Sequence, residues 1–400
     1  MSDEKIGRNA PALVEQTLAE HGAWDVVSFL LTSHRLRQVE YEAWRMGNTP
    51  CLEDALAGNK SRILSLLEAA MTHALSMGLI AASVSWQGWG ARAGQTLRLF
   101  HDDEINQRFQ LRISPRSDRP QLDLFMDAPH TLLLNQLRQA LLDRSPVIDT
   151  LFERAFDEIP NEPALARLDA IRAVMRDAID EPVARFRYLD EVIAPVAADE
   201  FPRRSLDIMA PLWRSTAEAI SPLPFDPTLS VAHASEAWMR AHAWEACIAS
   251  IEHTPDWHQH LCLHERRIVA LSCMGKHDSV RRAWMLYCWL FPDRAAIALD
   301  SADLKHCGLQ RLWRQFSQQE QAGPVDDFPA LIALHFSGGE LSDKAFESAH
   351  HTSGWLHYSI ACKLLASESD GAVNLELRHA LKKANPWLLR VFMATRLRQP

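Results

Sequence analysis

Apolar positions recur at helical spacing along most of the chain. Leu13, Leu18, Trp24, Val27 and Leu31 form one stripe, which Gly22 interrupts. Leu36, Val39, Tyr41 and Trp44 form a second, for which Ser33 is the expected N-cap and Gly47 the stop. Lys60 to Met77 predicts a long amphipathic helix through Ile63, Leu66, Leu67, Ala70 and Leu75, with Gly78 ending it. Helical spacing resumes near Thr131 and runs to the end. Pro146, Pro160, Pro163, Pro182, Pro195, Pro202 and Pro211 fall at intervals that suit helix starts.

Between these stretches the period changes. The segment from Ala69 to Trp86 reads as a helix followed by a strand. Thr96–Phe100, Phe109–Ile113 and Gln121–Met126 alternate apolar with polar residues, which predicts short strands, with Ser114 to Pro120 as a turn before the last. Ser221-Pro-Leu-Pro-Phe-Asp-Pro227 places three prolines in seven residues and reads as a linker. The expected fold class is therefore mainly α: an α-α superhelix of helical-hairpin repeats with a small N-terminal α+β module. The expected organisation is a small α+β module over 1–130, an acidic helical region over 131–221 and a helical repeat array over 228–400.

The repeat reading rests on internal similarity after the linker. Leu271-Ser-Cys-Met-Gly275 is followed by Val280, Trp284, Tyr287 and Pro292. Ala243, Cys247, Ser250 and Pro255 keep the same internal spacing, and a third unit runs from Gly354 to Trp387 with a turn at Asp370-Gly371, then Ala380 and Pro386. This pattern resembles the second helix and turn of tetratricopeptide-type repeats. It departs from that family where Val280 and Tyr287 replace small residues and Cys247 replaces an aromatic. The resemblance implies helical hairpins stacked in series, which bury apolar faces jointly and leave a concave protein-binding surface.

Composition adds limits. Apolar residues make up 47% and charged residues 23%, which fits a chain that folds. The net charge of −9 argues against coating nucleic acid through bulk positive charge. Charge is uneven, however: 13 acidic residues meet six arginines between Asp149 and Glu200, whereas six arginines meet four acidic residues between Arg92 and Arg119. The seven cysteines are odd in number and lack any Cys-x-x-Cys pair, which fits a reducing compartment. With a polar N-terminus and no long apolar run, this makes the cytoplasm the expected location.

Candidate chemistry is sparse. Nine of the thirteen tryptophans lie after residue 200, and Trp238, Trp244, Trp257, Trp284, Trp289 and Trp313 are the candidate protein-binding residues, because indoles anchor interfaces well. Arg98, Arg108, Arg112 and Arg116, interleaved with Trp86, Trp89, Phe100 and Phe109, form an alternative nucleic-acid surface. His258, His260 and His264, beside His253 and Cys262, form an alternative metal set, although Leu261 stands where a metalloprotease motif needs Glu. Gly88-Trp-Gly90-Ala-Arg-Ala-Gly94 has the look of a phosphate loop but precedes an alternating segment, so a hairpin turn is the better reading. Phe336-Ser-Gly-Gly339 is a turn with no base nominated for its serine, and no acidic pair is singled out by spacing.

The leading expectation is a non-enzymatic scaffold or adaptor in a larger complex, with a protein partner and no cofactor. A nucleic-acid-associated subunit and a metal-dependent enzyme are the alternatives.

Overall fold

A computed structural model describes residues 3–89, 94–114, 129–176, 179–301, 308–319, 323–336, 346, 349–367 and 371–396. The chain is mainly helical, with adjacent helices packed in pairs and one three-stranded sheet among the described residues. It divides into two compact units. One comprises residues 1–222 with 240–243, the other 223–239 with 244–400.

In the first unit, α1 (Asp3–His21) ends at Gly22, whose φ of +71° suits glycine. A Cβ there would also lie 2.7 Å from the Asn135 Cβ. The chain then forms the strand β1 (Trp24–Asp25), and the Asp25 carboxylate caps α2 (Val26–Thr32) by accepting from the Ser28 N–H at 2.9 Å. The predicted stripe through Trp24 and Leu31 is thus split by a strand. Ser33 closes α2 instead of opening the next helix, α3 (Gln38–Met46), which stops at Gly47 with φ +81°. The long helix α4 (Lys60–Ser76) forms as its periodicity predicts, capped by Asn59 and followed by Gly78 at φ +75°.

The strand expected before Trp86 is β2 (Ile80–Ser83). Phe109 does not belong to a strand: Asp102 caps a short helix, α5 (Asp103–Phe109), and β3 begins only at Leu111 and ends at Ser114. Sheet order is β1-β3-β2, antiparallel, with Ile113 opposite Trp24 on one side and Ala81 on the other. Thr96–Phe100 enters no strand of this sheet. Among the described residues it makes single bridges, Gln87 to Thr96 and Cys51 to Arg98. The expected strand Gln121–Met126 lies outside the described residues.

Helices α6 (Pro129–Asp143), α7 (Ile148–Glu158), α8 (Pro163–Met175), α9 (Pro182–Tyr188), a π-turn at Leu189–Ile193, α10 (Ala194–Glu200) and α11 (Ser205–Ile220) complete the unit. Pro163 and Pro182 sit in first turns, where their missing N–H costs nothing, whereas Pro195 follows the π-turn inside a continuous run of helical backbone. Pro211 departs from the expectation by lying inside α11, where it removes the bond to the Asp207 carbonyl. Trp24, Phe29, Tyr41, Trp44, Leu67 and Phe100 are among the residues that fill the core.

The second unit is a series of helices. It runs through α12 (Ala234–Arg240, whose last residue counts with the first unit), α13 (Trp244–Glu252), α14 (Leu261–Cys273), α15 (His277–Leu290), α16 (Pro292–Asp300), α17 (Leu309–Ser317), α18 (Phe328–Phe336), α19 (Ser353–Ala366), α20 (Gly371–Ala384) and α21 (Pro386–Arg396). Successive helices pack as hairpins: α13 on α14, α14 on α15, α18 on α19, α19 on α20 and α20 on α21. Gly275, at φ +68°, makes the turn between α14 and α15 as its place in the repeat pattern predicts, and Pro292 opens α16. Val280, Trp284, Tyr287, Phe328, Tyr358 and Leu388 are fully buried here. Among the described residues no helix is long and apolar enough to cross a membrane.

Candidate functional site

Among the described residues of the first unit a concave site of about 500 Å³ forms, within the range of small-ligand sites. Five arginines line it, Arg45, Arg112, Arg144, Arg204 and Arg214, against two carboxylates, Asp143 and Asp207. They come from distant parts of the chain: α3, β3, the end of α6 and the start and middle of α11.

Its floor is a buried ion triad. Asp207 meets Arg45 at 2.5 Å and Arg204 at 2.9 Å, with side-chain exposures of only 5%, 9% and 6% in that order. The Tyr41 hydroxyl donates to Asp207 at 2.9 Å and accepts from Arg45 at 2.6 Å. Burial alone would raise the Asp207 carboxyl, but Arg45 and Arg204, with the hydrogen bonds from Arg204 and Tyr41, overcome it and hold the group below its ordinary range. Burial likewise opposes the Arg204 charge, and the Asp207 carboxylate reverses that effect, so the guanidinium stays charged.

Trp86 and Trp89 hold these arginines in place. The Arg45 guanidinium lies 4.6 Å from the Trp89 ring centroid and 5.7 Å from that of Trp86, and Arg204 lies 5.4 Å from Trp86. Tyr41 and His242 pack edge-on to Trp89, and Trp44 packs on Trp86. The indoles are therefore occupied as cradles for cations and are not free platforms for stacking. Arg45 Nε also donates to the Gln87 carbonyl at 2.8 Å, which ties α3 to the segment carrying both tryptophans.

The wall is less fully satisfied than the floor. Trp89 Nε1 and Arg112 Nε are buried and have no hydrogen-bond acceptor among the described residues. Arg112 reaches Asp143 at 2.5 Å and lies 3.9 Å from Asp25. The Arg144 side chain is exposed, and its guanidinium has no ion-pair or hydrogen-bond partner among the described residues. Three of the five described non-glycine residues with positive φ border the pocket: Arg144 lines it, while Arg203 and His242 each adjoin a lining residue. Backbone held in this region costs energy and gathers at functional sites.

The residues singled out from sequence fall in several places. Arg112, Trp86 and Trp89 belong to the pocket. Arg98 pairs with Asp103, and Arg108 with Glu68 and Glu104, on exposed surface away from it. Arg116 lies outside the described residues. Gly88 and Gly94 line the pocket as parts of a hairpin, the Gly88 N–H donating to the Gln95 carbonyl; residues 90–93 of that loop lie outside the described set.

In the second unit Trp244, Trp284, Trp289 and Trp313 are buried, while Trp238 and Trp257 are half-buried. Trp289 Nε1 donates to the Asp326 carbonyl and Trp313 Nε1 to Asp300, so both act as packing anchors. His258, His260 and His264 do not converge. His264 is buried against Trp257 and Phe291 and donates to the His258 carbonyl, and His260 packs on Phe225.

Among the described residues the ligand atoms that gather closely enough for a metal are those of Cys51, Glu53 and His101. Their partners are already internal. Glu53 pairs with Lys60 and accepts from the His101 N–H, Asp54 takes the His101 ring, and burial pushes the Cys51 thiol up to about 11.

No protein-family model matches the chain, and neither a curated protein nor a solved structure is significantly similar to it.

Proposed function

We propose that the chain is a non-catalytic binding protein whose first unit receives an anionic group in the arginine pocket. The observation that carries this reading is the charge balance. Five guanidiniums face two carboxylates, and both carboxylates are already engaged, Asp207 by Arg45 and Arg204 and Asp143 by Arg112. An anion entering here meets preorganised donors and, among the described lining residues, no unpaired acid, and neither carboxylate is free to serve as a general base. Retention of small anions by the purified chain, measured calorimetrically, tests it. Absence of heat with phosphate, sulfate and acetate alike, at millimolar concentration and low salt, would remove the proposal.

The second unit supports a further reading, a scaffold or adaptor surface for a protein partner. Leu375 on α20 is 69% exposed and forms part of a depression of about 740 Å³ with Leu389, Arg378, Lys382 and Lys383. An apolar floor whose rim sets Arg378, Lys382 and Lys383 against Glu376 alone is net basic and fits an acidic amphipathic helix. A Leu375→Glu substitution should abolish capture of such a partner while leaving the helix content unchanged. Unchanged capture would place the partner elsewhere. The cytoplasm remains the proposed location, supported by buried, unpaired cysteines such as Cys247 and Cys288.

A further inference from the structure

Residues 51–54 and 98–101 run side by side in the first unit, and their side chains gather sulfur, nitrogen and oxygen donors. The Leu52 N–H donates to the Arg98 carbonyl at 3.1 Å and the Glu53 N–H to the Leu99 carbonyl at 2.9 Å. A 3-10 turn, Leu52–Ala55, follows Cys51, and the Asp54 N–H donates back to the Cys51 carbonyl. Asn106 Oδ1 accepts from the Leu99 and Phe100 N–H groups at 2.8 and 3.2 Å, which fixes the chain just ahead of His101. Hydrogen bonds therefore hold the backbone beneath all four side chains, Cys51, Glu53, Asp54 and His101.

The Cys51 thiol, a Glu53 carboxylate oxygen and a His101 ring nitrogen all lie within 4.8 Å of one another. A point among three atoms so spaced is at most about 2.8 Å from each, and zinc holds nitrogen, oxygen and thiolate ligands at about 2.0–2.3 Å. Small side-chain rotations close that gap. We infer that Cys51, Glu53 and His101 form a binding site for a divalent ion of the zinc class, with Asp54 orienting the histidine.

A second observation is the setting of the His101 ring. Its Nε2 lies 2.7 Å from Asp54 Oδ1. A histidine that ligates a metal through one nitrogen almost always donates its other N–H to a carboxylate, carbonyl or water, which fixes the tautomer and makes the ligating nitrogen more basic. With Nε2 engaged by Asp54, Nδ1 is the nitrogen left for the ion. Glu53 is prepared as well, because one of its oxygens accepts from the His101 N–H at 2.9 Å. Lys60 pairs with Glu53, but its side chain is 56% exposed, so water takes over its ammonium when a doubly charged ion arrives.

Cys51 is buried, whereas His101 and Asp54 are exposed, so the ion enters from the histidine side. As it binds, the thiol proton leaves to solvent and the sulfur ligates as thiolate. Three protein donors and one water give the four-coordinate shell that zinc favours. Thiolate with imidazole selects this class over calcium and magnesium, which take oxygen shells. None of these residues lines the arginine pocket, so the site is independent of it.

The test is titration of the full chain, kept reduced with a non-chelating phosphine, using Zn2+ followed by calorimetry and Co2+ followed by absorption. Wild type should bind one equivalent, and Co2+ should give the near-ultraviolet band of a thiolate ligand. Asp54→Asn should keep that band and weaken Zn2+ about 10- to 100-fold, the scale of losing the carboxylate behind a ligating histidine. Cys51→Ser and His101→Gln should weaken Zn2+ further still, and Cys51→Ser should abolish the band. His260→Gln and Cys262→Ser, in the other cluster of candidate ligands, should change nothing. Circular dichroism checks each variant's helix content. Should the buried Cys51→Ser fail to fold, the exposed His101→Gln decides in its place. Wild type that takes up no Zn2+ at micromolar concentration would overturn the site. So would unchanged Zn2+ affinity in His101→Gln, or a cobalt band that persists in Cys51→Ser. Unchanged affinity in Asp54→Asn would overturn the orienting role.

Discussion

Replacing Asp207 by Asn should separate stability from binding. The carboxylate joins Arg45 and Arg204 in a site where all three side chains are less than 10% exposed. The amide keeps the volume and one acceptor but leaves two guanidiniums facing each other with only the Tyr41 hydroxyl between them. Removing one partner from a buried ion pair costs about 3–5 kcal/mol, chiefly because the remaining charge is desolvated without compensation. For a unit of this size that corresponds to a fall of about 10 °C in the melting transition. Scanning calorimetry with urea unfolding followed by tryptophan fluorescence measures it. The pocket meanwhile loses a negative charge, so an anionic ligand should bind more tightly, and its saturating addition should raise the variant's melting temperature by more than it raises that of wild type. A loss below 1 kcal/mol would refute the triad as the pivot of the site. A variant that is destabilised and also binds less tightly would show that Asp207 orders the pocket rather than restraining its charge.

Other expectations concern the second unit. Gly354→Ala should be severely destabilising, because a Cβ would fall 1.8 Å from the Asp326 carbonyl oxygen; a variant that melts within 2 °C of wild type would contradict this close approach. Acid should weaken the unit through His264, which burial lowers from 6.5 to about 4. Its contribution is complete above pH 6.5, declines as pH falls through that window and is lost below about 4, a change of about 3 kcal/mol that a His264→Gln variant should not show in its urea midpoints. His357 runs the other way: its hydrogen bond to Asp327 raises its pKa, so its contribution is present below about pH 6.5 and fades as pH rises through the higher folded value, which a His357→Gln comparison at pH 5 and pH 8 would detect. Burial pushes the Cys247 thiol up to about 12 and Cys288 higher still, so both should resist a disulfide reagent at pH 8 until urea is added; prompt modification in the native protein would contradict their burial.

Much of the helical scaffold was legible from sequence because its signals are local. Lys60–Ser76 and the hairpin about Gly275 each combine a strong apolar period with a glycine at positive φ. The misread boundaries were also local, but turned on side-chain competition. Asp25 caps α2 within the stripe that the apolar period carried on past Gly22 to Leu31, and Asp102 caps α5, whose last residue, Phe109, the alternation had assigned to the strand that begins at Leu111. The pocket was hidden for another reason. Arg45, Arg112, Arg144 and Arg204 are separated by tens of residues and share no period, so only folding makes them neighbours. Arg112, Trp86 and Trp89 drew notice through arginine and aromatic density, but no local signal separates Arg112 from Arg98 or Arg108, which end on open surface.

The four residues Arg240–Ala243 bear on how the chain can be cut. They count with the first unit although the segments on both sides of them belong to the second. Arg240 pairs with Asp190 and covers the Phe186 and Trp213 rings, Ala241 lines the arginine pocket, and His242 packs against Trp89. A fragment ending at Pro222 would thus expose the rings of Phe186 and Trp213 and open one wall of the ligand site, even though it stops in a proline-rich segment that looks like a natural joint. An intact first unit requires a gene design that carries its own copy of this short insert, or no cut at all.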